Sequence, residues 1–163
     1  MTPPEVRALA ERLIAVPSVS PDPDGESRCG ETLAAHLPVE TVHGVWTLPD
    51  GRPVVWALLE GRSPRTVILL GHYDTVSARG FAAPDSEGEA LAFDPHRLRE
   101  RLLERRRRGE RFDPVLDADL ALEEREPGTW LFGRGSLDMK AGLAAGVAAM
   151  EALARAPRAE TVS

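Results

Sequence analysis

The sequence contains almost no cysteine and few aromatic residues. Of its 163 residues only Cys29 is a cysteine, and phenylalanine, tryptophan and tyrosine together make up 5%. A single cysteine cannot form a disulfide within the chain, and such low cysteine usage is typical of a reducing compartment, so the cytoplasm is the expected location. With so few aromatic rings, the sequence also offers no stacking platform for single-stranded nucleic acid.

Basic residues are fewer than acidic ones, at 20 against 26, which gives a formal net charge of −6. This balance argues against nucleic acid or an anionic membrane as a partner, because both attract a basic excess. The basic run Arg105–Arg108 lies between Glu104 and Glu110 and is expected to be a solvated helix end. No stretch reaches the roughly 18–20 apolar residues of a membrane-spanning helix. Residues 1–5 also lack the basic-then-apolar order of a secretory signal.

An amphipathic helix is clearly present at the start of the sequence. Thr2 and Glu5 have the spacing of a capping box, and Pro3 suits the first helical position because its missing N–H needs no partner there. Apolar residues then follow the spacing of one helical face: Val6, Leu9, Ala10, Leu13 and Ile14. Pro17 is expected to end this helix, and Pro17–Glu26 is expected to be a surface loop.

The next stretch predicts a short helix from about Ser27 to His36 and then several strands. Val42–Leu48 and Pro53–Leu59, joined by a turn at Pro49–Gly51, predict a hairpin. Thr66–Leu70 ends in four consecutive apolar residues, as expected of a central strand that is covered on both faces.

The pattern then degrades between residues 77 and 129, which we interpret as an insertion containing one helix within Pro95–Arg108. Order returns at Trp130–Phe132, which predicts a short strand. A helix is expected from Asp138 or Met139 to Ala154.

The segment Gly71–Thr75, directly after the apolar strand, carries the first candidate site residues. Ligands in open α/β sheets bind beyond the carboxyl ends of the strands, which is where His72 and Asp74 are expected to lie. Imidazole is a good zinc ligand, and a carboxylate two residues later can orient the ring. The alternative is a histidine that is only hydrogen-bonded at the end of a strand.

The second candidate segment is Gly133–Gly142. Its first two glycines, Gly133 and Gly135, permit a tight backbone before a helix. Asp138 at the start of that helix has two explanations. It is either an ordinary helix N-cap or a carboxylate that bridges two cations.

Together these segments resemble the family of two-metal aminoacylases, acetylornithine and succinyl-diaminopimelate deacylases and zinc carboxypeptidases. The resemblance rests on Leu70–Val76, on Gly133–Gly142 and on Val16–Ser20 after the first helix, and it covers nearly the whole chain. Ala92–Pro95 with the charged helix after it, and Trp130–Gly135, are similar to a subgroup associated with arginine utilisation. The implied fold is α/β, with a central, mostly parallel mixed sheet flanked by helices and incomplete at its C-terminal end.

The resemblance also implies roles for the candidate residues. His72 is expected to bind one metal ion, Asp138 to bridge two, and Asp74 to be the acidic active-site residue held behind His72. The implied cofactor is zinc, two ions per complete site, although cobalt or manganese would also suit such ligands. The implied reaction is hydrolysis of an amide bond in an N-acyl amino acid or small peptide by water activated between the ions.

The general base, the remaining ligands and the lid or dimerisation domain of that family have no counterpart in the sequence. We therefore expect residues 1–163 to be the N-terminal part of a metallopeptidase catalytic domain that neither holds two metal ions nor hydrolyses amides by itself. The alternative is a non-catalytic product of a truncated or frameshifted gene, or one half of a split enzyme that needs a complementary chain. A homo-oligomer also stays open.

Overall fold

The computed structural model describes residues 1–61, 64–79 and 88–156. These ranges contain six α-helices and two strands. In chain order they are α1 (Pro3–Ile14), α2 (Pro23–Ala34), β1 (Val42–Thr47), β2 (Pro53–Leu58), α3 (Gly88–Leu91), α4 (Pro95–Arg107), α5 (Pro114–Arg125) and α6 (Ala141–Arg155). A short irregular helical segment, Ser136–Lys140, precedes α6.

Helices α1, α2 and α6 enclose the first of two apolar cores. At the start of α1, the Glu5 carboxylate accepts hydrogen bonds from the Thr2 backbone N–H at 2.6 Å and from its hydroxyl at 3.0 Å. Both helices predicted at this end of the chain are confirmed, although α2 begins at Pro23, inside the predicted loop. The core consists of Leu9, Ala10, Leu13, Cys29, Leu33, Ala144 and Val147.

The predicted hairpin is also confirmed. Strands β1 and β2 pair in antiparallel register, with Val45 opposite Val55. Gly51 in the connecting turn has a φ of +87°, a conformation that favours glycine. The hairpin contacts α2, and Val55 packs against the first core.

The predicted central parallel sheet is wrong. The strands in the described ranges form a two-stranded antiparallel sheet, and the chain there is mostly helical. Residues 66–70 are not in a strand: Val67, Ile68, Leu69 and Leu70 are 86%, 79%, 60% and 89% exposed. A continuous apolar run forms a buried strand only where neighbouring strands pair with it and helices cover both of its faces, and the described residues supply no strand that pairs with it. Trp130–Phe132, predicted as a strand, also lies outside any strand.

Helices α3, α4 and α5 form a second core, made of Leu91, Leu98, Leu102, Leu103 and Leu120. The helix predicted within Pro95–Arg108 is confirmed as α4, whereas α5 was not predicted. Asp113 caps α5 by accepting hydrogen bonds from the backbone N–H groups of Val115 and Leu116 at 3.0 and 3.2 Å. Residues 80–87 of the predicted insertion lie outside the described ranges. None of the described helices combines the length and apolar character that crossing a bilayer requires.

Candidate functional site

His72 and Asp138, which are far apart in sequence, come together in the structure. Nε2 of His72 lies 3.0 Å from Oδ1 of Asp138. The segment around His72 is tied to the residues that follow α1. The Ser18 carbonyl accepts a hydrogen bond from the Thr75 backbone N–H at 2.8 Å, and the Ser18 hydroxyl donates to the Tyr73 carbonyl at 2.5 Å.

Asp74 occupies the other side of the His72 ring. Its Oδ1 lies 3.1 Å from Nδ1 of His72, and its backbone carbonyl oxygen is also 3.1 Å from that nitrogen. Two acceptors at Nδ1 favour the tautomer that carries its proton there. In a neutral ring the Nε2 lone pair would then face the Asp138 carboxylate, which is an unfavourable arrangement without a positive charge between them.

The same carboxylates affect the pKa of His72. Partial removal of the ring from water is the largest single influence and lowers the pKa. Hydrogen bonds to the Asp74 carbonyl and the Asp138 carboxylate, together with the charges of both residues, outweigh it and raise the pKa above its ordinary value. The geometry therefore favours either an imidazolium or a cation shared by Nε2 and Asp138.

A glycine loop places Asp138 beside His72. Gly135 has a φ of +84°, and a Cβ atom there would lie 3.0 Å from Cγ2 of Thr75, so the close approach of the two segments requires glycine. Asp138 itself has φ −125° and ψ 95°, and the peptide bond after it is cis. Helix α6 begins three residues later, at Ala141. The helix predicted from about Asp138 or Met139 to Ala154 is confirmed as α6, but it begins two to three residues later than predicted.

The described residues supply fewer metal ligands than a complete zinc centre has. Nothing in the described ranges groups three or more His, Cys, Asp or Glu side chains around a common point. Two ligand atoms about 2.0–2.1 Å from a tetrahedral zinc ion are roughly 3.3 Å apart. Nε2 of His72 and Oδ1 of Asp138, at 3.0 Å, are at hydrogen-bond distance and would have to separate by about 0.3 Å to share an ion. The donors fit zinc, but a catalytic zinc ion typically has three protein ligands.

A cavity of about 600 Å³ lies beside these residues. His72, Asp74 and Asp138 line one part of it, and side chains of α4, α5 and the segment 130–137 line the rest. This volume lies in the usual range for small-molecule sites. The arrangement joins a candidate cation site to a space that can hold a small substrate.

No family model and no solved structure matches the sequence. The chain is similar to a Bacillus subtilis (strain 168) protein that carries the name "Uncharacterized protein YqjN", with 34% identity over 97 residues. The match covers 59% of this chain and 16% of that protein, whose name assigns it no activity.

Sequence reasoning missed Lys140, whose side chain is fully buried next to the candidate site. Its ammonium group donates hydrogen bonds to the carbonyls of Leu13 and Val16, at 2.8 and 2.7 Å, at the end of α1. Burial lowers the pKa of this lysine. These hydrogen bonds hold Lys140, two residues after Asp138, against the first core. A lysine beside a run of small apolar residues was the available signal.

Proposed function

We propose that this chain forms part of the active site of a metal-dependent hydrolase of amide bonds. We also propose that the chain is related to the two-metal aminoacylases, deacylases and zinc carboxypeptidases, which the segments Leu70–Val76 and Gly133–Gly142 resemble. It is supported above all by Nε2 of His72 lying 3.0 Å from Oδ1 of Asp138, with Asp74 on the other ring nitrogen. The proposed substrate is an N-acyl amino acid or small peptide, and the proposed location is the cytoplasm.

Each residue has a distinct chemical role in this proposal. His72 and Asp138 would hold the cation, His72 through the Nε2 lone pair. Asp74 would keep the proton on Nδ1, fix the orientation of the ring and increase its basicity as a ligand. A bound zinc ion supplies a water of lowered pKa and polarises the amide carbonyl.

A complementary chain or segment would have to supply the remaining ligands and the general base. The structure contains one feature that favours such a partner. Val67–Leu70, immediately before Gly71 and His72, is exposed and pairs with no strand in the described ranges. An apolar segment with free backbone groups is prone to pair with a strand of another chain. The second proposal is therefore that this chain acts as one half of a split enzyme.

Calorimetric titration with Zn²⁺ tests the proposed site. We expect one weakly bound ion per chain, and at least tenfold weaker binding in His72→Ala and Asp138→Asn because each removes a ligand. Asp74→Asn should weaken binding roughly 10- to 100-fold through loss of ring orientation. His96→Ala is the control, because that exposed ring is 3.4 Å from Glu11 and away from the site.

Two results would contradict the proposal. Unchanged zinc affinity in His72→Ala would show that the ion binds elsewhere. Two tightly bound zinc ions per wild-type chain would show that the site is already complete.

In the absence of a partner, we expect no hydrolysis of N-acetyl amino acids by the chain, measured by release of the free amine.

A further inference from the structure

The cavity beside His72 and Asp138 has a largely apolar wall made by α4, α5 and the segment leading to the glycine loop. Leu98 and Leu102 come from α4, Leu116 comes from α5, and Trp130 and Phe132 follow α5. Such a surface excludes water and favours an extended apolar group. It says nothing by itself about the charge of the ligand.

Asp119 is the acidic residue that α5 contributes to this wall. It lies three residues after Leu116, so the two side chains share a helix face. Asp119 is half-buried, and no hydrogen bond or ion pair joins it to any part of the chain that the structure describes. By contrast, Asp117 on the same helix lies 3.9 Å from Nε of Arg111. The Asp119 carboxylate therefore has no cationic partner among the described residues, and a cationic ligand lying against the apolar wall can pair with it.

The charge of the whole cavity points the same way. Its carboxylates are Asp74, Asp119 and Asp138, and its guanidinium is Arg134. Asp74 and Asp138 are engaged with His72. Asp119 is on a different element, among leucine side chains, where its charge is not shared with the candidate metal site.

We propose that this cavity binds an apolar chain that ends in a cationic group, with the cation paired to Asp119 and the chain lying against the leucines of α4 and α5. A substrate of this class would place its cationic end at α5 and its amide near His72 and Asp138. That assignment to a substrate rests on the proposed hydrolase function. The binding of the cation to Asp119 does not depend on a metal ion.

Three probes of equal chain length test the proposal in metal-free buffer: hexylammonium, hexanol and hexanoate. Binding is followed by backbone amide shifts in NMR, with residues of α4 and α5 as reporters. We expect hexylammonium to bind at least fivefold more tightly than hexanol, and hexanoate to bind more weakly than either. In Asp119→Asn, hexylammonium should fall to the affinity of hexanol while hexanol is unchanged, which also shows that the cavity is intact. Asp119→Ser is a second variant should the first fail to fold.

Asp117→Asn is the matched control, because Asp117 is on the same helix but faces Arg111. The affinity of this variant for hexylammonium should equal that of the wild type. The proposal is overturned if hexanoate binds as tightly as hexylammonium, if Asp119→Asn leaves hexylammonium affinity unchanged, or if no probe shifts the reporters. If hexylammonium binds as expected but His72→Ala binds zinc as tightly as the wild type, the hydrolase proposal fails and the cation site at Asp119 stands.

Discussion

Glu123 is the buried charge whose removal we expect to reduce stability most. Its carboxylate is 0% exposed. It accepts hydrogen bonds from Nε of Arg99 at 2.5 Å and from the backbone N–H groups of Gly128 and Trp130 at 2.7 and 2.9 Å. One side chain therefore joins α4, α5 and the segment that leads into the cavity wall.

Glu123→Ala would leave all three of these donors without their acceptor. Removing one partner of a buried ion pair costs about 3–5 kcal/mol. Arg99 is partly exposed and can regain water, so we expect a loss near the lower end, about 3 kcal/mol. For a domain of this size, that corresponds to a fall in Tm of about 6–12 °C. Urea unfolding followed by tryptophan fluorescence, with a thermal melt by circular dichroism, measures both quantities.

Glu124→Ala is the neighbouring control. Glu124 pairs with Arg106 at 2.5 Å and Arg107 at 3.4 Å, but these groups remain partly exposed to water. An ion pair of that kind contributes about 0–1 kcal/mol. If the two alanine variants lose equal stability, the buried network around Glu123 does not have the role described above.

Three further predictions concern acid sensitivity, the glycine loop and the unpaired apolar segment. Burial is the largest influence on the pKa of Glu123 and raises it, but the three hydrogen-bond donors outweigh burial and lower the pKa below its ordinary value of 4.5. The stabilisation by Glu123 is therefore present above pH 4.5 and is lost as pH falls through the lowered pKa of the folded state. In urea titrations, the difference in unfolding free energy between wild type and Glu123→Ala should shrink below pH 4.5. Gly135→Ala should lose more unfolding free energy in the same assay than Gly109→Ala. Both positions have positive φ, so alanine brings about 1–2 kcal/mol of strain at each. Only at Gly135 would the new Cβ also lie against Thr75. Ile68→Thr should change stability by less than about 0.5 kcal/mol, as for any exposed residue, and a loss of several kcal/mol would mean that Ile68 is buried after all.

The elements that were predicted correctly depend on short-range signals. The Thr2–Glu5 capping pattern and the turn before Gly51 act over a few residues, so α1 and the hairpin can be read from the sequence. Helix α5 was missed because its apolar residues are spaced among charged ones and its buried contacts come from α4. The run Val67–Leu70 shows the opposite failure. Its apolar residues predicted a buried strand, but burial also requires neighbouring elements, and the local sequence does not show whether these are present.

The candidate site divides in the same way. His72, Asp74 and Asp138 were singled out by their motifs, and the pairing of His72 with Asp138 was expected only through the family resemblance. Lys140 carried only a weak local signal, a lysine beside small apolar residues, and Asp119 carried none. The burial of Lys140 depends on carbonyl groups at the end of α1, and the position of Asp119 depends on how α4 and α5 pack against each other.

Imidazole nitrogen NMR during zinc titration tests the central claim most directly, because it resolves both ring nitrogens of each histidine. We predict that Zn²⁺ shifts Nε2 of His72 and leaves the proton on Nδ1, that the same shift in Asp138→Asn needs at least tenfold more Zn²⁺, and that His43 and His96 are unaffected in both proteins. A shift at Nδ1 of His72, an equal shift in Asp138→Asn, or a response confined to the other histidines would contradict a cation shared by His72 and Asp138.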